Sequence, residues 1–215
     1  EFQIDIILDK DIINGYERDS SNIKGNGDIL CRPKNELECA LILQWSQLSQ
    51  IPITISAGKT NLTGSATPKG GTILSTEKMT QPIVKVDPIA KTVSTPVGIY
   101  LEDMRKEVLK QSKRTLHFPV DPTSREEAMV GGTLSCNASG FIPGPAGATR
   151  FWTDGLDFLT VDGYKISCQR GDYISENGEF ILEYPNKSVI LTMPTYPRPD
   201  IKNASGPFTD INGRI

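Results

Sequence analysis

Apolar side chains recur at helical spacing in the first quarter of the chain. In residues 35–50 they fall three or four positions apart, at Leu37, Leu41, Trp45 and Leu48. This spacing predicts an amphipathic helix with those four side chains on its buried face. Asn35 is typical of a helix N-cap, and Glu38 three residues later resembles a capping box.

A second helix and a series of strands follow from the same kind of pattern. Residues 100–112 predict the helix, with Leu101, Met104 and Val108 on one face. Runs rich in β-branched residues predict strands at 28–33, 51–56, 71–76, 82–87, 91–97, 155–163, 164–171, 179–185 and 188–194. The first 25 residues are polar and predict an irregular N-terminal extension. This mixture is typical of an α+β fold with mixed sheets.

Composition and charge narrow the classes of function. The chain has 215 residues, of which 37% are apolar and 23% charged, as in a globular protein of one large or two small domains. The net charge of −3 gives no reason to expect nucleic acid as a partner, and no apolar run has transmembrane length. The N-terminus lacks the organisation of a signal peptide. We therefore expect a cytoplasmic protein without membrane association.

The cysteines and the single histidine argue against a metal site. The spacing of the four cysteines is not CxxC at any point; they are Cys31, Cys39, Cys136 and Cys168. His117 is the single histidine, so no pair of histidines can bind a metal ion. We expect four reduced, mostly buried thiols and no bound metal, with a long-range disulfide as the alternative.

The stretch "SAGKTNLTGSATPKGG", residues 56–71, holds small and polar residues almost alone. It is either a surface loop without a binding role or a loop whose backbone lies close to a ligand, since glycine permits such an approach. Successive N–H groups in a turn of this kind can bind an anion, and Lys59 could add charge. The pattern is neither GxGxxG nor a P-loop, and it joins two predicted strands. Taken alone, it supports both interpretations equally.

A second stretch of similar character favours a ligand. Residues 121–140, "DPTSREEAMVGGTLSCNASG", again combine paired glycines, small residues and hydroxyls. Two such loops in one domain indicate an extended ligand with a polar middle, and a dinucleotide fits that description.

Taken in order, these motifs resemble the FAD-binding domain of the FAD-linked oxidases, which have a PCMH-type or vanillyl-alcohol-oxidase fold. The D-lactate, glycolate and 2-hydroxyglutarate dehydrogenases are the members that the chain resembles most. The matching segments are "RPKNELECALILQWSQLSQIPI", "SAGKTNLTGSATP", "FPVDPTSREEAMVGGTLSCNASG" and "GATRFWTDGLDFLTVDG". The resemblance implies two small α/β subdomains over residues 26–215, divided near 97–120, with FAD between them. It also implies a flavin-dependent oxidoreductase that oxidises a 2-hydroxy acid such as D-lactate or glycolate.

The resemblance further implies a role for each loop residue. The first loop would wrap the pyrophosphate with the backbone of Ala57, Gly58, Lys59, Thr60 and Asn61, and would continue through Gly64 and Ser65. The second would run along the cofactor with Pro122, Thr123 and Ser124, pass near the flavin at Gly131 and Gly132, and close with Asn137, Ser139 and Gly140. The resemblance identifies no catalytic residue.

Departures from the family pattern set two further expectations. Neither loop contains a histidine, so we expect FAD to be bound non-covalently. The family's closing flavin motif and C-terminal substrate domain do not follow "IKNASGPF" at 201–208, so a missing C-terminal domain is an expected partner. Two alternatives stay open: an isolated cofactor-binding module without activity, and a sugar or alditol oxidase or enolpyruvyl reductase on the same fold.

Overall fold

A four-stranded sheet forms the first layer of the molecule, in a computed structural model that describes residues 3–185 and 187–193. Its strands are β1 (Asp5–Ile7), β2 (Ile29–Arg32), β3 (Ile53–Ser56) and β4 (Thr72–Ser75), in the order β1-β2-β4-β3. β4 is parallel to both of its neighbours, whereas β1 is antiparallel to β2. All four residues of β4 are buried, as expected for a central parallel strand.

Between β2 and β3 the chain forms helix α2 (Glu36–Leu48), which packs on this sheet. Asn35 caps it as predicted, because its Oδ1 accepts a hydrogen bond from the Glu38 amide at 2.9 Å. The buried face carries Cys39, Ile42 and Leu43, which pack against Cys31 and Leu74.

The predicted buried face of α2 is therefore wrong. Leu37, Trp45 and Leu48 are 51%, 42% and 86% exposed, so the stripe that they form with Leu41 faces outward. Cys39, Ile42 and Leu43 also recur at helical spacing, so the helix carries two apolar stripes. The stripe with the smaller side chains lies against the sheet.

The N-terminal segment is also more regular than the sequence predicts. β1 pairs with β2 along its length, and α1 (Lys10–Asn14) follows with Asp9 as its N-cap. Ile13 is fully buried and packs with Leu30 and Ile73 on the face of the sheet that α2 leaves free. The irregular structure expected over 1–25 is thus corrected for residues 5–14, where isolated isoleucines supply the contacts.

The second half of the chain is built around helix α3 (Leu101–Gln111). Its predicted face is confirmed, because Leu101, Met104 and Val108 are buried together with Val130. The hairpin of β5 (Lys85–Asp87) and β6 (Thr92–Ser94) and the short helix α4 (Val130–Ser135) cover that face. The division into two subdomains near 97–120 stays a prediction.

Two further antiparallel hairpins complete the described part of the chain. β7 (Gly155–Leu159) pairs with β8 (Lys165–Gln169), and β9 (Glu179–Glu183) pairs with β10 (Ser188–Thr192). Short 3₁₀ turns at 145–147 and 149–152 precede them. The predicted strands and the mixed α+β architecture are confirmed, whereas residues 201–208 lie outside the described residues.

Candidate functional site

The loop 57–71 connects two neighbouring parallel strands, β3 and β4. A parallel connection must cross from one end of the sheet to the other, and a helix usually makes this crossing. Here the loop makes it without a helix, so its backbone amides are not used up in helical hydrogen bonds. The loop begins where β3 ends, at Ala57.

The start of this loop presents a row of backbone donors. Among the residues that the structure describes, the five N–H groups from Gly58 to Leu62 have no hydrogen-bond partner. Lys59 has a φ of 55°, in the left-handed region, so the chain turns sharply within this row. Successive free amides around such a turn form an anion-binding concavity. The backbone here therefore suits a phosphate group.

The two glycine-rich loops come together at this point. A Cβ atom added to Gly58 would lie 2.2 Å from the carbonyl oxygen of Glu127 and 3.1 Å from Cα of Ala128. A Cβ atom added to Gly132 would lie 3.4 Å from Cβ of Ala57. The φ of Gly58 is not positive, so the glycine is not needed for a left-handed backbone conformation. Its lack of a side chain instead permits the close contact between the two segments. The residue at positive φ at the start of this loop is Lys59.

The side chain of Lys59 is directed back to the N-terminal segment. Its Nζ donates to the carbonyl oxygen of Gly15 at 2.8 Å and lies 4.3 Å from the ring centroid of Tyr16. Desolvation lowers the pKa of this ammonium group, while the nearby Glu77 carboxylate opposes the change. The charge of Lys59 thus lies against Gly15 and Tyr16, and its backbone provides the turn.

The middle of the loop is organised by two side chains. Oδ1 of Asn61 accepts hydrogen bonds from the amides of Thr63 and Ser65, at 3.2 and 3.3 Å. Asp19 is 7% exposed, and its Oδ2 accepts a hydrogen bond from the Ala66 amide at 3.3 Å. Desolvation opposes ionisation of Asp19, but hydrogen bonds from Ser21, Ala66 and Asn61 prevail and lower the pKa of its carboxyl group.

Sequence reasoning missed the part that Asp19 plays. The signal available was "RDSS" at 18–21, because an aspartate followed two positions later by a serine is typical of an Asx turn. The Ser21 amide does donate to Oδ1 of Asp19, at 2.9 Å. Gly64, further along the loop, has a φ of 74° and packs close to Ile23.

The second segment is only partly a loop. Pro122 is buried just before a series of turns, in which Thr123 is exposed and Ser124 is half-buried. Gly131 and Gly132 lie inside helix α4, which the sequence did not predict. This helix is fixed by its surroundings, since Gly131 donates to the Val97 carbonyl oxygen at 2.9 Å.

The last three predicted residues take part in contacts within their own region. Asn137 is buried, and its Oδ1 accepts a hydrogen bond from the Arg150 amide at 2.8 Å. Ser139 forms an isolated β-bridge with Ala148. Gly140 lies so close to Asp121 that a Cβ atom would come within 2.3 Å of its Oδ1. These residues therefore shape the end of the second segment through packing.

All four cysteines are free, but only half of them are buried. Burial raises the pKa of Cys31 and Cys39 to about 11, with the Asp5 carboxylate adding to the effect at Cys31. Cys136 is exposed and Cys168 is half-buried, which corrects the expectation of mostly buried thiols. Among the described residues no group of histidine, cysteine, aspartate and glutamate is arranged to hold a metal ion. Every helix in the described ranges is too short or too polar to cross a membrane.

Comparisons with known proteins agree with this geometry. The sequence model of a family described as "FAD binding domain" matches residues 27–169, which include both glycine-rich segments. D-lactate dehydrogenase from Archaeoglobus fulgidus is 31% identical over 140 residues, covering 65% of this chain and 30% of the relative. D-2-hydroxyglutarate dehydrogenase from Xanthomonas citri pv. viticola is 28% identical over 132 residues, covering 61% and 27%. Glycolate oxidase subunit GlcD from Bacillus subtilis is 29% identical over 137 residues, covering 63% and 28%.

Solved structures show the same fold. Alkyldihydroxyacetonephosphate synthase superposes with a TM-score of 0.66 at 19% identity, covering 76% of this chain and 32% of that protein. 6-Hydroxy-D-nicotine oxidase from Arthrobacter nicotinovorans superposes with a TM-score of 0.63 at 17% identity, covering 79% and 36%. The expected PCMH-type fold is thereby confirmed. The chain spans about a third or less of the length of the curated relatives that it matches.

Proposed function

Because the chain belongs to the family of FAD-binding domains, we propose that the amide row from Gly58 to Leu62 holds the pyrophosphate of FAD. The single observation that carries this assignment is that the five N–H groups have no partner among the described residues and lie together at a sharp turn. Amides directed at an anion act as fixed partial positive charges. No side chain from the loop is required for such binding.

The second segment extends this site beyond the pyrophosphate. The amide of Gly132 has no partner among the described residues either, and it lies beside Ala57, where the first loop begins. Thr123 adds an exposed hydroxyl group. We place the rest of the cofactor along these groups, because a dinucleotide is too long for one loop alone. The residues present therefore fit FAD.

The intact protein, in this proposal, oxidises a 2-hydroxy acid such as D-lactate or glycolate. Bound FAD supplies the ring that accepts the hydride. The chain's own residues bind and orient it, and the close contact between Gly58 and Glu127 keeps the two binding segments together. Support for the substrate class comes from the relatives, which are named for D-lactate, D-2-hydroxyglutarate and glycolate. Because the chain spans 30%, 27% and 28% of these three relatives, we propose that the substrate-binding residues lie in a further domain.

An anaerobic flavin-reduction experiment tests the proposal. The full-length protein is purified, its visible absorption is recorded, and D-lactate, glycolate and D-2-hydroxyglutarate are added in turn. Loss of the oxidised-flavin absorption with one of these acids, and not with glucose, supports the assignment. A purified protein that neither contains flavin nor binds added FAD contradicts it, and reduction by glucose alone would favour a sugar oxidase.

Two further parts of the proposal concern attachment and location. We propose non-covalent FAD, since neither glycine-rich segment contains a histidine. Acid precipitation should then release all flavin into the supernatant, and flavin retained in the pellet would contradict this, with Cys136 as the first attachment site to examine.

We also propose a cytoplasmic location, which four free cysteines support and cell fractionation would test.

A further inference from the structure

A short N-terminal segment, residues 15–22, lies against the cofactor loop. We name it the clamp segment. It precedes the residues that the family model matches, 27–169. The Ser20 amide donates to the carbonyl oxygen of Lys59 at 3.0 Å, and Nζ of Lys59 donates to the carbonyl oxygen of Gly15 at 2.8 Å. Both bonds are made to Lys59, which is the residue of the amide row that has a positive φ. The clamp segment therefore contacts the turn itself.

Asp19 is the centre of the clamp segment. Its Oδ1 accepts hydrogen bonds from the amide and the hydroxyl group of Ser21, and its Oδ2 accepts one from the Ala66 amide at 3.3 Å. Asp19 therefore joins the clamp segment to the loop at Ala66, while the amide of the next residue, Ser20, holds the loop at Lys59.

We propose that Asp19 is a positioning residue that holds the amide row in the shape that binds pyrophosphate. This inference rests on the proposed function. The residue acts through the Ala66 amide, which donates to it, and through its bonds to Ser21, which order the turn whose Ser20 amide holds the Lys59 carbonyl oxygen. A loop held in this way loses little further conformational freedom on binding, and preorganisation of this kind raises affinity.

The carboxylate is needed here because every neighbour is a donor. The amides of Ser21 and Ala66 and the hydroxyl group of Ser21 donate to its two oxygens. An ionised carboxylate is acceptor-only, whereas an asparagine of nearly the same shape would bring an NH₂ group against one of these donors. Asp19→Asn therefore changes hydrogen bonding with little change in volume.

The test measures FAD affinity by flavin fluorescence in the full-length protein, with chemical denaturation in parallel. We expect Asp19→Asn to weaken FAD binding about 10- to 100-fold, the range for losing a hydrogen bond to a charged group. Asp162→Asn is the matched control. Its carboxylate also accepts from a threonine hydroxyl group, of Thr160, and from Lys187, but in the turn between β7 and β8. This control should lose stability without losing FAD affinity.

Two measurements distinguish a positioning role of Asp19 from a general loss of flavin binding or stability. Riboflavin lacks the pyrophosphate, so its affinity should be the same in wild type and Asp19→Asn; an equal loss for riboflavin and FAD would overturn the inference. A double-mutant cycle with Ser21→Ala, which removes the hydroxyl group that donates to Oδ1 of Asp19, should show that the two changes are not additive. Fully additive losses would mean that Asp19 does not act through the order of the clamp segment, and would also overturn it.

The failure of this inference is distinguishable from failure of the proposed function. Wild-type protein that does not bind FAD removes the proposed function, whereas wild-type binding with an unchanged Asp19→Asn affinity removes only the positioning role. If Asp19→Asn does not fold, Ser21→Ala removes one of the donors to the same carboxylate. Unchanged FAD affinity in a folded Ser21→Ala variant would then decide against the clamp segment.

Discussion

Gly58 lies directly against the carbonyl oxygen of Glu127, with space for a hydrogen but none for a methyl group. The two residues belong to different glycine-rich segments, and a Cβ atom on residue 58 would come within 2.2 Å of that oxygen. The obstacle is a backbone atom, so rotation of a side chain cannot relieve it. The distance between the two segments therefore depends on a missing side chain.

Gly58→Ala should destabilise the protein and weaken FAD binding together. Forcing a methyl group into this contact should lower the free energy of unfolding by about 1–3 kcal/mol. FAD affinity should fall as well, because the amide row at Gly58 and the amide of Gly132 would move apart. Denaturant titration and flavin fluorescence measure the two effects. Normal stability with normal affinity would show that the segments do not need this approach.

Gly132→Ala is the steric control. Its added Cβ atom would meet Cβ of Ala57 at 3.4 Å, an ordinary contact, and the residue lies in helix α4 without positive φ. Removal of a helical glycine should raise the free energy of unfolding by about 0.4–1 kcal/mol. A loss of stability as large as that of Gly58→Ala would contradict the steric explanation.

Lys59→Met should weaken FAD binding about 10-fold or more, through loss of the charge-assisted hydrogen bond to Gly15. Methionine keeps an apolar chain beside Tyr16 but has no ammonium group. Because Nζ lies against Gly15 and Tyr16, the dependence of FAD affinity on salt concentration should stay the same as in wild type. Titrations at several salt concentrations measure this, and a variant that loses the salt dependence would show direct contact with phosphate.

Protonation of Asp19 should contribute to acid unfolding. Hydrogen bonds lower the pKa of its carboxyl group below the usual 3.8 in the folded state. Its stabilising contribution is therefore complete above pH 3.8 and is lost as the pH falls through the lower folded-state pKa. Unfolding free energies measured between pH 5 and 3 should decline less steeply for Asp19→Asn than for wild type. Parallel curves would show that the folded-state pKa is not lowered.

Substitutions on α2 should distinguish its two apolar stripes. Leu43→Ala removes a buried side chain that packs on the sheet and should cost about 2–5 kcal/mol in unfolding free energy. Leu37→Ala changes an exposed position and should stay within about 0.5 kcal/mol of wild type. An equal loss of unfolding free energy at both positions would support the buried face that the sequence spacing predicted.

The contrast between α2 and α3 shows what periodicity can predict. In α3, Leu101, Met104 and Val108 are separated by charged residues, so only one face can be buried and the prediction is confirmed. In α2 two apolar stripes share one helix, and spacing alone does not indicate which of them faces the sheet. That choice depends on how closely the helix approaches β4.

The two glycine-rich segments that the structure brings together can be found in the sequence, because small residues leave a compositional signal. Composition does not predict which atoms lie against each glycine in the folded chain. Gly58 is close to Glu127 and Gly140 to Asp121, and such contacts across the sequence follow from the folded chain alone. Helix α4 was missed for a related reason, since Val130 and Thr133 are buried by tertiary packing in spite of the paired glycines.

The exposed thiol of Cys136 gives the molecule a natural attachment point for a fluorescent dye. Cys31 and Cys39 are buried with pKa values of about 11, and burial also raises the pKa of Cys168, so a maleimide should react with Cys136 first. Its amide donates to the carbonyl oxygen of Gly132 at 3.0 Å, so the thiol lies inside the second segment, one helical turn from Gly132. A dye at this position, chosen so that its emission overlaps flavin absorption, would report the arrival of the cofactor by energy transfer.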